Sequence, residues 1–161
     1  MFMDKAEIPL AQRDALGLML DDHCKIKHLF KAFSREKDAE AREAIAHEAC
    51  LTLTLIGQIE EELFYPYVRM RNEAAFGHLI DKALVEHSCI RGLIAQIQGM
   101  TSEDRLFHAK VTVLGELASH HVSGEEGELY PKLMVMNEDL RDIGARMRQR
   151  KDEITIEAHI A

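Results

Sequence analysis

The chain has no tryptophan, and only three tyrosines, three prolines and nine glycines in 161 residues. So little proline and glycine excludes a collagen-like repeat or a linker-rich mosaic. Three cysteines is an odd count, so a closed disulfide framework is not expected and a reducing cytoplasm is the expected compartment. No long basic run is present, and 20 Lys and Arg stand against 28 Asp and Glu for a net charge of −8. Nucleic acid and anionic membrane are therefore excluded as main partners. No segment approaches the roughly 18 apolar residues that cross a bilayer. The opening MFMDKAEIPL is too acidic, and too short in its apolar run, for a signal peptide. Also missing are Asn-Gly turns, a Glu-x-x-His pair, a His-Glu-x-x-His helix, a Gly-rich phosphate loop and a Cys-x-x-Cys pair, so ferritin-type di-iron, zinc-protease, nucleotide and thiol-redox chemistries are set aside. Nothing suggests a serine or cysteine nucleophile triad.

What remains is 47% apolar and carries nine histidines without a tag-like cluster. Apolar residues recur at helical spacing almost throughout. The pattern predicts four long helices over about 11–34, 38–65, 73–99 and 103–130, then a shorter one over about 137–150 and a tail. Pro66 and Pro131 mark ends or kinks of the second and fourth. The expected fold is all-α, an antiparallel up-down-up-down four-helix bundle with a short C-terminal helix. It divides into an extension over 1–10, the bundle over 11–134, and the last helix and tail over 135–161.

The chain also repeats itself. LDDHCKIKHLF, beginning at Leu20, aligns with LVEHSCIRGLI, beginning at Leu84. This sets His23 on His87, Asp22 on Glu86, Ile26 on Ile90 and Lys27 on Arg91. IGQIEEELFYP, beginning at Ile56, aligns with HVSGEEGELYP, beginning at His121. Here Glu60 falls on Glu125, Glu61 on Glu126, Tyr65 on Tyr130 and Pro66 on Pro131. Two matches at nearly one offset predict a duplicated helical hairpin.

Helical geometry then sorts the polar residues. Glu60 lies within the apolar arc of Leu53, Ile56 and Ile59, and Glu125 within that of Leu114, Leu117 and His121. His23 shares its stripe with Leu16, Met19 and Ile26, and His87 shares its own with Ile80, Ala83 and Ile90. Glu61 and Glu126 fall outside these arcs and read as solvated faces. Three histidines and two glutamates thus point inward from four helices. A buried carboxylate costs several kcal/mol unless it is paired, protonated or bound to metal. Two carboxylates beside three imidazoles are donors suited to Fe, Mn or Zn. Without a metal, Lys27 and Arg91 are the expected partners of the inward glutamates. His28, His47, His78, His108 and His159 read as surface or helix-end residues, and His120 points about 100° away from His121, with an outer-partner or substitute-ligand role as the lesser alternative. Cys24 and Cys89, near the inward histidines, read as inert thiols rather than a redox pair.

In DDHCKIKHLF, QIEEELFYP, VEHSCIRGLI and HHVSGEEGELYP, which lie within about residues 15–131, the chain resembles the hemerythrin-like HHE cation-binding family. The resemblance implies a four-helix bundle around a non-haem iron centre, with His23, Glu60, His87, His121 and Glu125 as ligands and the glutamates as bridges. It also implies a role in binding or sensing O₂, NO, peroxide or iron, or in protection from oxidative or nitrosative stress. One departure is plain. The family places a histidine one turn before the bridging glutamate of the second helix, and here that position is Ile56. A second histidine on the third helix is also missing. The centre is therefore expected to be di-iron or reduced to a single ion, with Zn or Mn as substitutes. A binding protein is favoured over an enzyme. The rival readings are a peroxide-decomposing iron enzyme and a metal-free interaction module. A homodimer is compatible with the outer faces.

Overall fold

The computed structural model describes residues 3–160 and contains no strand among them. A single 3₁₀ turn, Lys5–Glu7, precedes the first long helix, α1 (Leu10–Arg35). Helix α2 (Ala39–Ile59) starts where Asp38 caps the Ala41 N–H at 2.8 Å, satisfying a donor that a helix start leaves open. It runs without a break through a π-helical turn (Glu60–Phe64) into α3 (Tyr65–Arg71). Asn72 ends that rod in extended geometry and caps α4 (Glu73–Gln98) through the Ala75 N–H at 3.0 Å. The fourth rod repeats the second: α5 (Phe107–Gly124), a π-helical turn (Glu125–Leu129) and α6 (Tyr130–Val135). Asn137, in the left-handed region at φ 53°, turns the chain toward α7 (Arg141–Ile160).

Several boundaries differ from the periodicity reading. Pro66 and Pro131 end neither rod. Each follows a π-helical turn whose last bond runs from the Tyr65 N–H to the Glu60 carbonyl, or from the Tyr130 N–H to the Glu125 carbonyl. The proline then sits in the first turn of the α segment that continues the rod, where the ladder changes from i→i+5 to i→i+4 bonds around its missing N–H. The fourth rod begins at Phe107 rather than near 103, because 101–106 close as turns in which Asp104 caps the Thr101 N–H at 2.7 Å. The last helix extends to Ile160, absorbing most of the expected tail.

The apolar faces meet in one core, in which Leu16, Met19, Ile59, Ile80, Ile97 and Leu114 are fully or almost fully buried. Contacts pair α1 with α2 and α4 with α5, and join these pairs through α1 with α5 and α2 with α4. Helix α7 packs on the outer side of α1, also touching α2 and the first π-helical turn. That approach is close: a Cβ on Gly144 would stand 2.9 Å from the Ala15 backbone nitrogen, so a larger residue there separates the helices. The junction is stitched by polar bonds, since Gln12 Nε2 donates to the carbonyls of Leu133 (2.9 Å) and Glu138 (2.7 Å). The Leu140 N–H also donates to Ala11 at 2.9 Å. No helix among the described residues is long and apolar enough to cross a membrane.

Candidate metal centre

All five inward residues of the sequence reading are buried, and they converge at the height of the two π-helical turns. Their donor atoms form two groups, Glu60 with His87 and His121, and His23 with Glu60 and Glu125. Within each group the donors lie no more than 4.8 Å apart. Glu60 belongs to both. In the first group, Glu60 Oε2 is 2.9 Å from His87 Nε2 and 3.6 Å from His121 Nε2, and the two Nε2 atoms are 3.2 Å apart. In the second, His23 Nε2 lies 3.1 Å from Glu125 Oε2, out of line for a hydrogen bond.

The opposite ring nitrogens show why these imidazoles face as they do. His23 Nδ1 is 2.9 Å from Glu126, His87 Nδ1 is 2.8 Å from Glu61, and His121 Nδ1 is 2.9 Å from Glu86. A carboxylate on Nδ1 fixes the tautomer and turns Nε2 inward, the arrangement that orients metal-ligating histidines. Each such carboxylate meets a cation. Lys27 sits 3.1 Å from Glu126, Arg91 pairs with Glu61, and Lys82 lies 3.9 Å from Glu86.

Two expectations are corrected here. Lys27 and Arg91 pair with the outer glutamates, while imidazoles and phenols face Glu60 and Glu125. Glu61 and Glu126 are not merely solvated, because they support His87 and His23, and the Glu126 side chain is only 8% exposed. His120 stands beside Glu86 at 3.3 Å with its own side chain exposed, which makes it an outer neighbour of His121. Cys24 and Cys89 are exposed free thiols.

The tyrosines are what the sequence reading missed. Tyr65 donates to Glu125 Oε1 at 2.7 Å and approaches Glu60 Oε2 at 3.2 Å. Tyr130 donates to Glu125 Oε2 at 3.0 Å, and its ring stacks on His23 at 5.9 Å between centroids. The signal was present in the repeat, which set Tyr65 on Tyr130 five residues after each inward glutamate.

Charge in this cavity is strongly perturbed. Burial works against protonating His23, but the neighbouring carboxylates of Glu125 and Glu126 overcome that and raise it to about 9. Burial likewise opposes charge on His121, yet Glu125, Glu60 and Glu86 raise it to about 11. His87 is raised too, by Glu60 and Glu61 against burial. For Glu60, burial pushes the carboxyl up, while His121 and His87 pull it well below the ordinary range. Burial and the Glu125 and Glu60 charges hold both phenols far above their usual value.

The donor set suits a cation. Glu60 Oε1 and His23 Nε2 are buried without a hydrogen-bond partner among the described residues, a costly state for polar atoms. Both belong to the groups described above, and their N and O donors suit a first-row ion. Beside His87 and His121 opens a cavity of about 340 Å³ whose wall combines Leu53, Ile56, Ile90 and Ile94 with the polar Gln58, Glu61 and Arg91.

Fold and site together define a helical bundle with a buried His/Glu cluster whose donors could hold a cation. Residues 14–133 match the model of the hemerythrin HHE cation-binding domain, and the chain belongs to that family. The crystal structure of a hemerythrin HHE cation-binding-domain protein from Mycobacterium kansasii is similar in fold. Its TM-score is 0.71 at 20% identity, over 86% of this chain and 85% of that one. No curated protein matches.

Proposed function

We propose that the chain holds non-haem iron, as a pair of ions sharing Glu60, and uses it to bind or sense a small oxidant or gas such as O₂, NO or peroxide. His87 and His121 complete one side of the pair, and His23 and Glu125 the other. The observation that carries this reading is the pair of donor groups with Glu60 common to both. Iron so bound supplies reversible one-electron redox change and an open position for a small ligand. The chain supplies the rest. Glu61, Glu86 and Glu126 hold the imidazoles in register. Tyr65 and Tyr130 restrain the carboxylates. Ile56, at the family's histidine position, is 5% exposed and walls the adjoining cavity. It leaves room for a small guest while limiting water. We read residues 11–134 as a duplicated hairpin folded up-down-up-down, with α7 as an outer brace. The paired π-helical turns, which begin at Glu60 and Glu125, support this.

The test is metal analysis by plasma mass spectrometry on protein loaded anaerobically with Fe(II). About two irons per chain are expected. One ion overturns the pairing, and none overturns the metal reading.

A further inference from the structure

Resting on the iron reading above, we infer that the Tyr65 phenol oxygen is itself a metal ligand, supplying a donor that Ile56 does not. The oxygen lies 2.7 Å from Glu125 Oε1, 3.2 Å from Glu60 Oε2 and 3.5 Å from His87 Nε2. These atoms come from three segments and represent both donor groups, so an ion drawn to them is drawn to the phenol as well. The need is numerical. Five side chains, one of them shared, serve two ions whose preferred coordination is higher, and the family's histidine position holds an aliphatic residue.

The ring is also placed for the task. Tyr65 is 2% exposed and packs between Phe64, at 6.0 Å between centroids, and His87, at 5.5 Å. Its backbone N–H closes the π-helical turn on the Glu60 carbonyl, so ligand and phenol are fixed to one another by a single turn of chain. Coordination exchanges the phenol O–H bond for an O–metal bond and releases that proton to solvent. Tyr130 differs. Its hydroxyl reaches Glu125 alone among the ligands, and its ring lies against His23, so it positions a carboxylate without touching both groups.

The experiment loads the wild type, Tyr65→Phe and Tyr130→Phe anaerobically with Fe(II) and oxidises each with air. Metal content, visible absorption and resonance Raman spectra are then recorded. The expected wild-type signature is phenolate ring vibrations enhanced by excitation in a phenolate-to-Fe(III) charge-transfer band. Tyr130→Phe keeps it. Tyr65→Phe loses it and binds iron at least about tenfold more weakly. Iron-loaded wild type without phenolate vibrations overturns the assignment while leaving the iron reading intact, whether or not Tyr65→Phe folds. A signature lost in Tyr130→Phe instead also overturns it. No iron in any of the three overturns both.

Discussion

Glu60→Gln tests the charge logic of the core most directly. The Glu60 side chain is fully buried, 2.9 Å from one imidazole nitrogen and 3.6 Å from another. Glutamine keeps the shape, removes the charge and turns one acceptor oxygen into an N–H donor. Breaking a buried ion pair from one side costs about 3–5 kcal/mol. His121 retains Glu86 at 2.9 Å and Glu125 at 3.7 Å, so the low end, about 3 kcal/mol, is expected for the metal-free protein. That is a large part of a net stability of about 5–15 kcal/mol. The pH dependence follows from linkage. His121 is raised from 6.5 to about 11 when folded. Its stabilisation is complete below the unfolded value and fades as pH climbs toward the folded one. Glu60 is lowered from 4.5, so its stabilisation is present above that value and lost as pH falls below it. The deficit of the variant should be greatest between about pH 4.5 and 6.5 and narrower at pH 9. Urea unfolding of chelator-treated protein at pH 6 and 9 measures it, and iron content should drop to one per chain or less. Equal unfolding midpoints at pH 6, with iron content unchanged, would refute the reasoning.

Two further substitutions probe the frame around the centre. Ile56→His should raise iron affinity about tenfold, read by chelator competition, while lowering metal-free stability by about 2 kcal/mol through lost apolar burial. The repeat pairs Ile56 with His121 and Asp22 with Glu86, the partner of His121. Asp22 Oδ2 is buried without a hydrogen-bond partner among the described residues. Unchanged affinity would count against that correspondence. Glu126→Gln removes the carboxylate from His23 Nδ1 and should weaken iron binding about 10- to 100-fold. The same competition assay checks it, and an effect below twofold would mean that His23 is not a ligand.

How much of this was legible beforehand depended on period. The five inward residues could be found because His23, His87 and His121 lie on ordinary α-helix, and Glu60 and Glu125 directly follow one, before the wider turn shifts the faces from about 100° per residue. The tyrosines could not. On an α-helical wheel a residue five positions on from Glu60 points about 140° away. The wider i→i+5 turn brings Tyr65 back over its own glutamate, as it brings Tyr130 over Glu125. Glu61 and Glu126 were misread for a related reason. Periodicity separates core from surface, but it has no category for a carboxylate at the core's rim that grips a buried ring. Helix α7 was underestimated because its sequence is weakly apolar. It is held by Gly144 against Ala15, and by Lys151 paired with the largely buried Asp22.

The outer carboxylates also tie the two halves of the bundle together. His23, in the first half, is held by Glu126 of the second, and His87, in the second, by Glu61 of the first. Tyr65 likewise crosses to Glu125. Neither half contains the carboxylates that hold its own leading histidine. Splitting the halves would therefore strip both rings of their supports at once, so the orientation of the inward histidines is a property of the assembled bundle. The halves are not equivalent, because the first carries Ile56 where the second carries His121.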